Sequence, residues 1–234
     1  MPDDPRLSQR SGWLRHVLFA VGGPLCRRLF RLRVEGDEHL PPTGAAIIAA
    51  NHLSFFDSVV LALAVPRPLS FVGKAEYLDS WKTRRLFPAL GMIPVERGSP
   101  RQAYGALRVA AEVLEADELF AVYPEGTRSH DGALHDGHNG VGHLSMTTGA
   151  AVIPVGIVGT DRIQPRGARL PRPFRSAVVR FGSPIDPHGY DGSRRDRRRR
   201  ITSDVMAAIS QLSGQTYPGG LVWSSVTDRS TPQD

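Results

Sequence analysis

Residues 45–65 read Ala-Ala-Ile-Ile-Ala-Ala-Asn-His-Leu-Ser-Phe-Phe-Asp-Ser-Val-Val-Leu-Ala-Leu-Ala-Val. The apolar run at 45–50 has the length and composition of a buried strand, and residues 58–65 are typical of a helix. A polar loop joins the two. This order of strand, polar loop and helix is typical of α/β domains, where chemistry gathers beyond the carboxyl ends of the strands.

The same alternation continues along the chain. Apolar runs predict strands at residues 45–50, 69–72, 119–123, 152–158 and 177–181, and helical spacing predicts helices at 58–65, 101–115, 140–148 and 194–212. The length of 234 residues, of which 41% are hydrophobic, suits one packed domain. We therefore predict a single α/β domain with a mixed or mostly parallel sheet at residues 34–214. An N-terminal amphipathic segment at 1–33 precedes it, and a partly disordered tail at 215–234 follows it.

The composition limits the kinds of binding partner and the cellular compartment that we expect for this protein. The chain has 29 basic and 23 acidic residues, a net charge of +6, which favours a negatively charged ligand or surface. A single cysteine, Cys26, excludes an intramolecular disulfide framework. We find no apolar run long enough to cross a bilayer and no signal peptide pattern, so we expect a cytoplasmic protein.

Residues 13–32 combine apolar residues at helical spacing with several arginines. Such a segment either lies in the lipid headgroup layer or packs its apolar stripe on the domain core. We expect Gly22-Gly23-Pro24 to split it into two short halves. The arginine run at 194–200 is a second candidate for contact with an anionic membrane, although it also fits a solvated helix start.

His52 and Asp57 are five positions apart in the polar loop. On one continuous helix this spacing separates them by about 140° around the axis, so they meet only if His52 precedes the helix. Ser54 fits as the N-cap, with Asp57 in the first turn of a capping box. A carboxylate on one imidazole nitrogen leaves the other free as a base. Alternatively, Asp57 only caps the helix and His52 is an ordinary loop residue.

The string Glu-Gly-Thr-Arg at 125–128 follows another predicted strand. Gly126 permits a tight turn that brings backbone N–H groups near an anion, and Arg128 offers a planar fork of donors to phosphate. Glu125 either holds that arginine or meets a substrate hydroxyl. Further cations near predicted strand ends are Lys74 and Arg97. Each of these signals alone also fits a solvated surface charge.

Other chemistries match the sequence less well. We find neither a phosphate-binding Gly-x4-Gly-Lys-Ser/Thr string nor a Gly-x-Ser-x-Gly nucleophile elbow. The histidines between residues 130 and 143 have no recognised zinc spacing, and their glycine-rich surroundings suggest a mobile loop, so we expect no metal.

Together these strings resemble the lysophospholipid acyltransferase family, of the bacterial 1-acylglycerol-3-phosphate acyltransferase type. The matching segments, in order, are His52-x4-Asp57, 71–76, 91–97, 125–128 and 152–155. The likeness extends from about residue 34 to 182. One departure is His138, where members of the family often carry Lys or Arg.

The resemblance implies a glycerolipid acyltransferase-like fold, a twisted sheet flanked by helices. It also implies transfer of a fatty acyl group from acyl-CoA or acyl carrier protein to the free hydroxyl of 1-acyl-sn-glycerol-3-phosphate, giving phosphatidic acid without a further cofactor. By this analogy His52 is the general base and Asp57 orients it. The residues that would bind substrate are Lys74, Arg97, Glu125, Gly126, Thr127 and Arg128.

From these features we expect direct attack of the acceptor without an acyl-enzyme, because Ser54 fits better as a cap than as a nucleophile. We also expect a peripheral enzyme on the inner face of the cell membrane, bound to an anionic surface. The alternatives are another acceptor such as a lyso-ornithine lipid, hydrolysis of the thioester, or a non-enzymatic basic binder of lipid or nucleic acid. Nucleic acid is disfavoured because no recognition motif for it is evident.

Overall fold

The computed structural model describes residues 13–79, 84–95 and 100–217. Its strands are β1 Arg33–Glu35, β2 Ala46–Ala50, β3 Leu69–Lys74, β4 Met92–Val95, β5 Leu119–Val122, β6 Ala151–Val158 and β7 Val178–Phe181. Helix α1 covers residues 13–29 as α-helix Trp13–Val17, a π-helical turn Leu18–Gly22 and α-helix Gly23–Leu29. The other α-helices are α2 Asp57–Ala64, α3 Leu86–Ala89, α4 Pro100–Glu115, α5 Gly140–Thr148, α6 Thr160–Ile163 and α7 Arg194–Ser213.

The strands form one mixed sheet in the order β1-β7-β6-β2-β5-β3-β4. All neighbouring pairs are parallel except β6 with β7. The central strand β2 pairs with β5 and β6, and its register places Ala46 opposite both Leu119 and Ala151. The carboxyl ends of β2 and β5 therefore lie side by side, where the loops carrying His52 and Arg128 begin. The predicted fold class is confirmed.

Alternating residues of β2 supply the two faces of the core. Ile48 and Ala50 pack on one face, mainly against α2, whereas Ile47 and Ala49 pack on the other, against α4, α5 and α7. All five residues of β2 are buried, because a central parallel strand is covered by helices on both faces. This explains why the segment is apolar throughout.

All five predicted strands and four predicted helices are present, with ends shifted by at most two residues. The prediction missed β1 and β4. β1 is three residues long and has charged side chains at both ends. β4 contains Pro94 and lies at the edge of the described sheet, where a proline costs no ladder hydrogen bond.

The prediction that Gly22-Gly23-Pro24 splits the N-terminal segment is wrong. Gly22 and Gly23 both have right-handed helical dihedrals, so the helical backbone continues through them. Pro24 falls in the first turn of the last α-helical part, where its missing N–H costs little. Gly23 is buried, and a Cβ at that position would lie 3.4 Å from Leu63.

Helix α1 packs on the domain and also presents an apolar row outward. On the inner side, the core is contacted by Leu18, Phe19, Cys26 and Leu29. These contacts are expected if the apolar stripe of the segment packs on the domain core. A second row lies at i, i+4 spacing on the outer side, and its members are Val17, Val21 and Leu25. Within the described ranges, no helix has both the length and the apolar content needed to cross a bilayer.

Candidate active site

The loop between β2 and α2 brings His52 and Asp57 into contact. His52 Nδ1 lies 2.8 Å from Asp57 Oδ2, and the imidazole is 17% exposed while the carboxylate is fully buried. Since the carboxylate accepts, Nδ1 carries the proton and Nε2 keeps its lone pair. The arrangement leaves Nε2 available as a base.

Asp57 is held by backbone N–H groups as well as by the imidazole. Its Oδ2 accepts hydrogen bonds from Leu53 N at 2.7 Å and Ser54 N at 2.8 Å. It is also the first residue of α2, where the helix dipole favours a negative charge. These donors hold the carboxylate in one orientation.

The predicted capping box forms only in part. Asp57 reaches back to Ser54 N as predicted, but the residue that precedes the helix is Phe56, so Ser54 is not the N-cap. The Ser54 hydroxyl instead donates to Gln164 O at 2.7 Å and accepts from Phe56 N at 3.2 Å. The loop makes an extra turn before α2 begins, and that turn folds His52 back over Asp57.

Tyr123 is a site residue that the sequence analysis missed. Its ring stacks on His52 with centroids 3.9 Å apart and an interplanar angle of 14°. Its hydroxyl pairs with Ser58 Oγ at 2.8 Å. Burial, together with the charge of Asp57, raises the pKa of Tyr123, so the phenol stays neutral. The available signal was its position directly after strand β5, two residues before Glu125.

Glu125 has different hydrogen-bond partners from those predicted. Its buried carboxylate accepts from His52 N at 3.4 Å and from His135 N at 3.0 Å. Burial raises the pKa of Glu125, and these two N–H groups lower it in part. Glu125 therefore links the His52 loop to the following loop, and neither holds Arg128 nor faces the cavity described below.

Gly126 forms the predicted tight turn, with φ of +71°. Its own N–H donates to Tyr123 O at 2.9 Å. Contrary to our expectation, this N–H is therefore not available to bind an anion. Ser129 N donates to His52 O at 2.8 Å, which joins this turn to the loop between β2 and α2. A Cβ at Gly126 would lie 3.0 Å from the His138 ring, so only glycine fits here without displacement.

A cavity of about 910 Å³ opens at His52 and runs between the sheet and α4. Its rim is cationic, and the described residues there include Lys74, Arg128, His138 and Arg166. Gly126 and Thr127 also line it. Its interior is apolar, with Phe55, Phe71, Met92, Leu107 and Phe120 among the lining residues. Arg97 lies outside the described residues.

The loop at residues 130–138, which we expected to be mobile, has several anchors. Leu134 is fully buried, and its N–H donates to Thr216 O at 2.9 Å. His138 N donates to Pro124 O at 2.9 Å. The Gln215 side chain donates to Gly132 O at 2.8 Å. Residues 215–217, placed in the predicted tail, therefore pack against the site.

The sequence model of the family described as "Acyltransferase" matches residues 31–158, more than half of the chain. The chain belongs to this acyltransferase family. Its matched region contains the His52–Asp57 pair, Tyr123 and the turn at 125–128.

Among its relatives are 1-acyl-sn-glycerol-3-phosphate acyltransferases of plants and animals. This chain is 31% identical over 140 residues to the chloroplastic 1-acyl-sn-glycerol-3-phosphate acyltransferase LPAT1 of Arabidopsis thaliana, covering 59% of this chain and 39% of that protein. It is 27% identical over 143 residues to the 1-acyl-sn-glycerol-3-phosphate acyltransferase alpha of Homo sapiens, covering 61% of this chain and 48% of that protein. It thus spans less than half the length of these relatives.

A solved acyltransferase structure has a similar fold. The 1-acyl-sn-glycerophosphate acyltransferase PlsC of Thermotoga maritima superimposes with a TM-score of 0.66 at 27% sequence identity. The match covers 91% of this chain and 83% of that chain. It therefore includes elements on both sides of the region that the family model matches.

Proposed function

We propose that this acyltransferase transfers a fatty acyl group from acyl-CoA or acyl carrier protein to the free hydroxyl of 1-acyl-sn-glycerol-3-phosphate. The observation that carries the proposal is the His52–Asp57 pair at the mouth of a cavity with a cationic rim and an apolar interior. The rim suits the acceptor phosphate and the interior suits an acyl chain. The names of the relatives point to the same acceptor.

In the proposed reaction, His52 Nε2 takes the proton of the acceptor hydroxyl as its oxygen attacks the thioester carbon. The tetrahedral intermediate then collapses, the C–S bond breaks, and the imidazolium returns the proton to the departing thiolate. Asp57 stabilises the imidazolium between these steps. Positioned base catalysis of this kind contributes about 10²–10⁴-fold to the rate.

The surroundings of His52 favour direct transfer over an acyl-enzyme. The Ser54 hydroxyl donates to Gln164 O and therefore faces away from an incoming thioester. The Ser58 hydroxyl pairs with Tyr123. Neither hydroxyl has the hydrogen bond to His52 that an activated serine nucleophile needs.

The position of Arg128 in the cavity lining supports a role for it in binding phosphate. Its guanidinium offers paired donors to a phosphate, and Lys74 adds a second charge at the end of β3. His138, later in the same loop as Arg128, adds an imidazole to the cavity lining. We propose that these groups select a phosphate-bearing acceptor over a zwitterionic one.

We also place the enzyme peripherally on the cytoplasmic face of the membrane, with the outer face of α1 toward lipid. The exposed row at Val17, Val21 and Leu25 supports this position. The arginine run of α7 supports it less. Arg197 and Arg200 donate to Pro187 O and Asp191 O, at the opposite end of α7 from Gln215 and the site.

The test is thiol release by purified protein given acyl-CoA and a panel of lysolipids. Wild type should consume 1-acyl-sn-glycerol-3-phosphate faster than a lyso-ornithine lipid. His52→Ala should lower kcat by at least 100-fold without unfolding, and the matched His130→Ala should not. Arg128→Ala should raise the acceptor KM about tenfold or more, in contrast to Arg195→Ala.

Two outcomes would contradict the proposal. Full activity of His52→Ala would remove the base, and thiol release without acylated product would assign thioester hydrolysis instead. Replacing acyl-CoA by acyl carrier protein in the same assay identifies the donor.

A further inference from the structure

The loop between α6 and β7, residues 164–176, has an unusual surface. It carries the four arginines Arg166, Arg169, Arg172 and Arg175 and no acidic residue. Leu170 and Phe174 lie between them, 78% and 70% exposed. The side chains of Arg169, Arg172 and Arg175 make no hydrogen bond or ion pair with any residue that the structure describes. The fold therefore gains little from these side chains, which suit an external partner that is both anionic and apolar.

Backbone contacts hold this loop in place. Its first residue, Gln164, accepts from the Ser54 hydroxyl, and Arg172 N donates to Ile163 O at 2.7 Å. Near its end, Phe174 N donates to Leu29 O at 3.1 Å. Three prolines, at 165, 171 and 173, restrict it further. The apolar side chains are therefore presented outward by an anchored segment.

Phe174 has a backbone conformation that a bulky residue rarely adopts. Its φ is +63°, in the left-handed region that is unfavourable for a residue with a Cβ. Glycine or asparagine would remove that cost. The strained backbone and the exposed ring do not help the chain to fold, which points to a role in contact with an external partner.

The loop connects the cavity to helix α1. At one end, Arg166 lines the cavity and donates to Arg128 O at 3.4 Å and Ser129 O at 3.3 Å. At the other end, Phe174 contacts the last residue of α1. The outer row of α1 at Val17, Val21 and Leu25 extends the apolar surface beyond that point.

We propose that the loop at 164–176 is seated on an anionic lipid bilayer. Arg169, Arg172 and Arg175 contact lipid phosphates, while Leu170 and Phe174 enter the boundary between headgroups and acyl chains. The Arg166 end then faces the path by which the acceptor leaves the bilayer for the cavity. This path rests on the proposed function, whereas bilayer contact does not. An acidic protein would pair the charges but leave the two apolar side chains without a partner.

Vesicle binding of the full chain tests the charges. The triple variant Arg169→Gln/Arg172→Gln/Arg175→Gln should partition about 100-fold more weakly onto phosphatidylglycerol vesicles, since each arginine contributes about 1 kcal/mol near an anionic surface. The matched triple Arg194→Gln/Arg195→Gln/Arg199→Gln loses the same charge from α7 and should change partitioning by less than threefold. An equal loss of vesicle partitioning in the two triple variants would mean that binding depends only on net charge. That result would overturn the proposal that the loop at 164–176 contacts the bilayer.

A second pair of variants tests insertion. Phe174→Asn removes the ring while suiting the positive φ, so it should fold as wild type and bind vesicles about tenfold more weakly. The Leu170→Trp variant should show additional fluorescence quenched by brominated lipid, relative to wild type. Membrane-bound protein whose added fluorescence is not quenched would contradict insertion.

Activity on substrates dissolved as monomers separates this inference from the proposed function. With a short-chain lysophosphatidic acid and short-chain acyl-CoA below their micelle concentrations, the loop variants should keep wild-type turnover. Wild type that is inactive here but binds vesicles through the loop would count against the proposed function alone. Loop variants that bind vesicles normally yet lose activity only with acyl carrier protein would assign the loop to that donor instead.

Discussion

Three hydrogen-bond donors converge on one oxygen of Asp57, namely His52 Nδ1 and the amides of Leu53 and Ser54. The other oxygen, Oδ1, has no hydrogen-bond partner among the described residues. A single buried carboxylate thus orients the imidazole and shapes the start of α2. Its effect on catalysis can be tested separately from its effect on shape.

Asp57→Asn should keep the shape of the side chain and lose its charge. The imidazolium that forms during transfer would then lack its counterion, so kcat should fall by about 10²–10⁴-fold with little change in the acceptor KM. Steady-state kinetics and a thermal melt measure both effects. Asp204→Asn, on α7 beside Tyr190, is the matched control and should leave kcat unchanged. Equal kcat in the two variants would exclude the proposed role of Asp57.

Glu125 predicts a pH dependence of stability. Burial raises its pKa above the ordinary 4.5, so the folded state binds this proton more tightly than the unfolded state. Its contribution is fully present below pH 4.5 and is lost as the pH rises through the folded pKa. Glu125→Gln does not titrate, so the unfolding free energy of wild type minus that of the variant should decline as the pH rises above 4.5. Denaturant unfolding at several pH values measures this, and a flat difference would show that burial does not dominate.

Two glycines show how differently helices tolerate this residue. Gly142 in α5 faces α7, and a Cβ there would lie 2.3 Å from Arg198 O. Gly105 in α4 is exposed, and a Cβ there would meet nothing within 4 Å. The first glycine therefore allows two helices to approach closely, whereas the second only weakens its helix.

Matched alanine substitutions test this difference. Gly105→Ala should raise the free energy of unfolding by about 0.5–1 kcal/mol, the usual helix cost of glycine. Gly142→Ala should lower it by about 1–3 kcal/mol because α5 and α7 must move apart. Thermal melts of both variants decide the question. A stabilised Gly142→Ala protein would show that these helices are not in close contact.

At the scale of the whole molecule, α7 returns the chain to the site. Gln215, just beyond its end, accepts from Asn51 Nδ2 at 2.6 Å, and Asn51 also pairs with the backbone of Ile157 in both directions. Asn51 is fully buried next to His52. The segment just beyond the helix therefore stabilises the junction of β2, β6 and the loop that carries His52.

Gln215→Ala should lower both stability and turnover. Loss of the partner of a buried amide costs about 1–3 kcal/mol, and kcat should fall several-fold because the backbone before His52 loosens. The exposed Gln211→Ala on α7 is the control and should match wild type in both respects. A melt and a kinetic assay of the two proteins suffice. Unchanged stability in Gln215→Ala would mean that the C-terminal segment does not support the site.

The sequence by itself determined the α/β class, most element positions and the candidate catalytic pair. Strand β2 and helix α2 were readable because central strands are apolar throughout and because helices repeat their apolar residues at fixed spacing. The spacing of His52 and Asp57 also limited how they could meet. These features are local, since each depends on residues close together in the chain.

Only the tertiary structure decided which side chains share the site. Tyr123 stacks on a histidine 71 positions earlier in the chain, and Glu125 accepts hydrogen bonds from two backbone amides in different loops. Arg166 reaches the cavity rim from a loop that carries no catalytic motif. Spacing along the chain says nothing about such contacts, because the distance between two loops is fixed by strand order and helix packing.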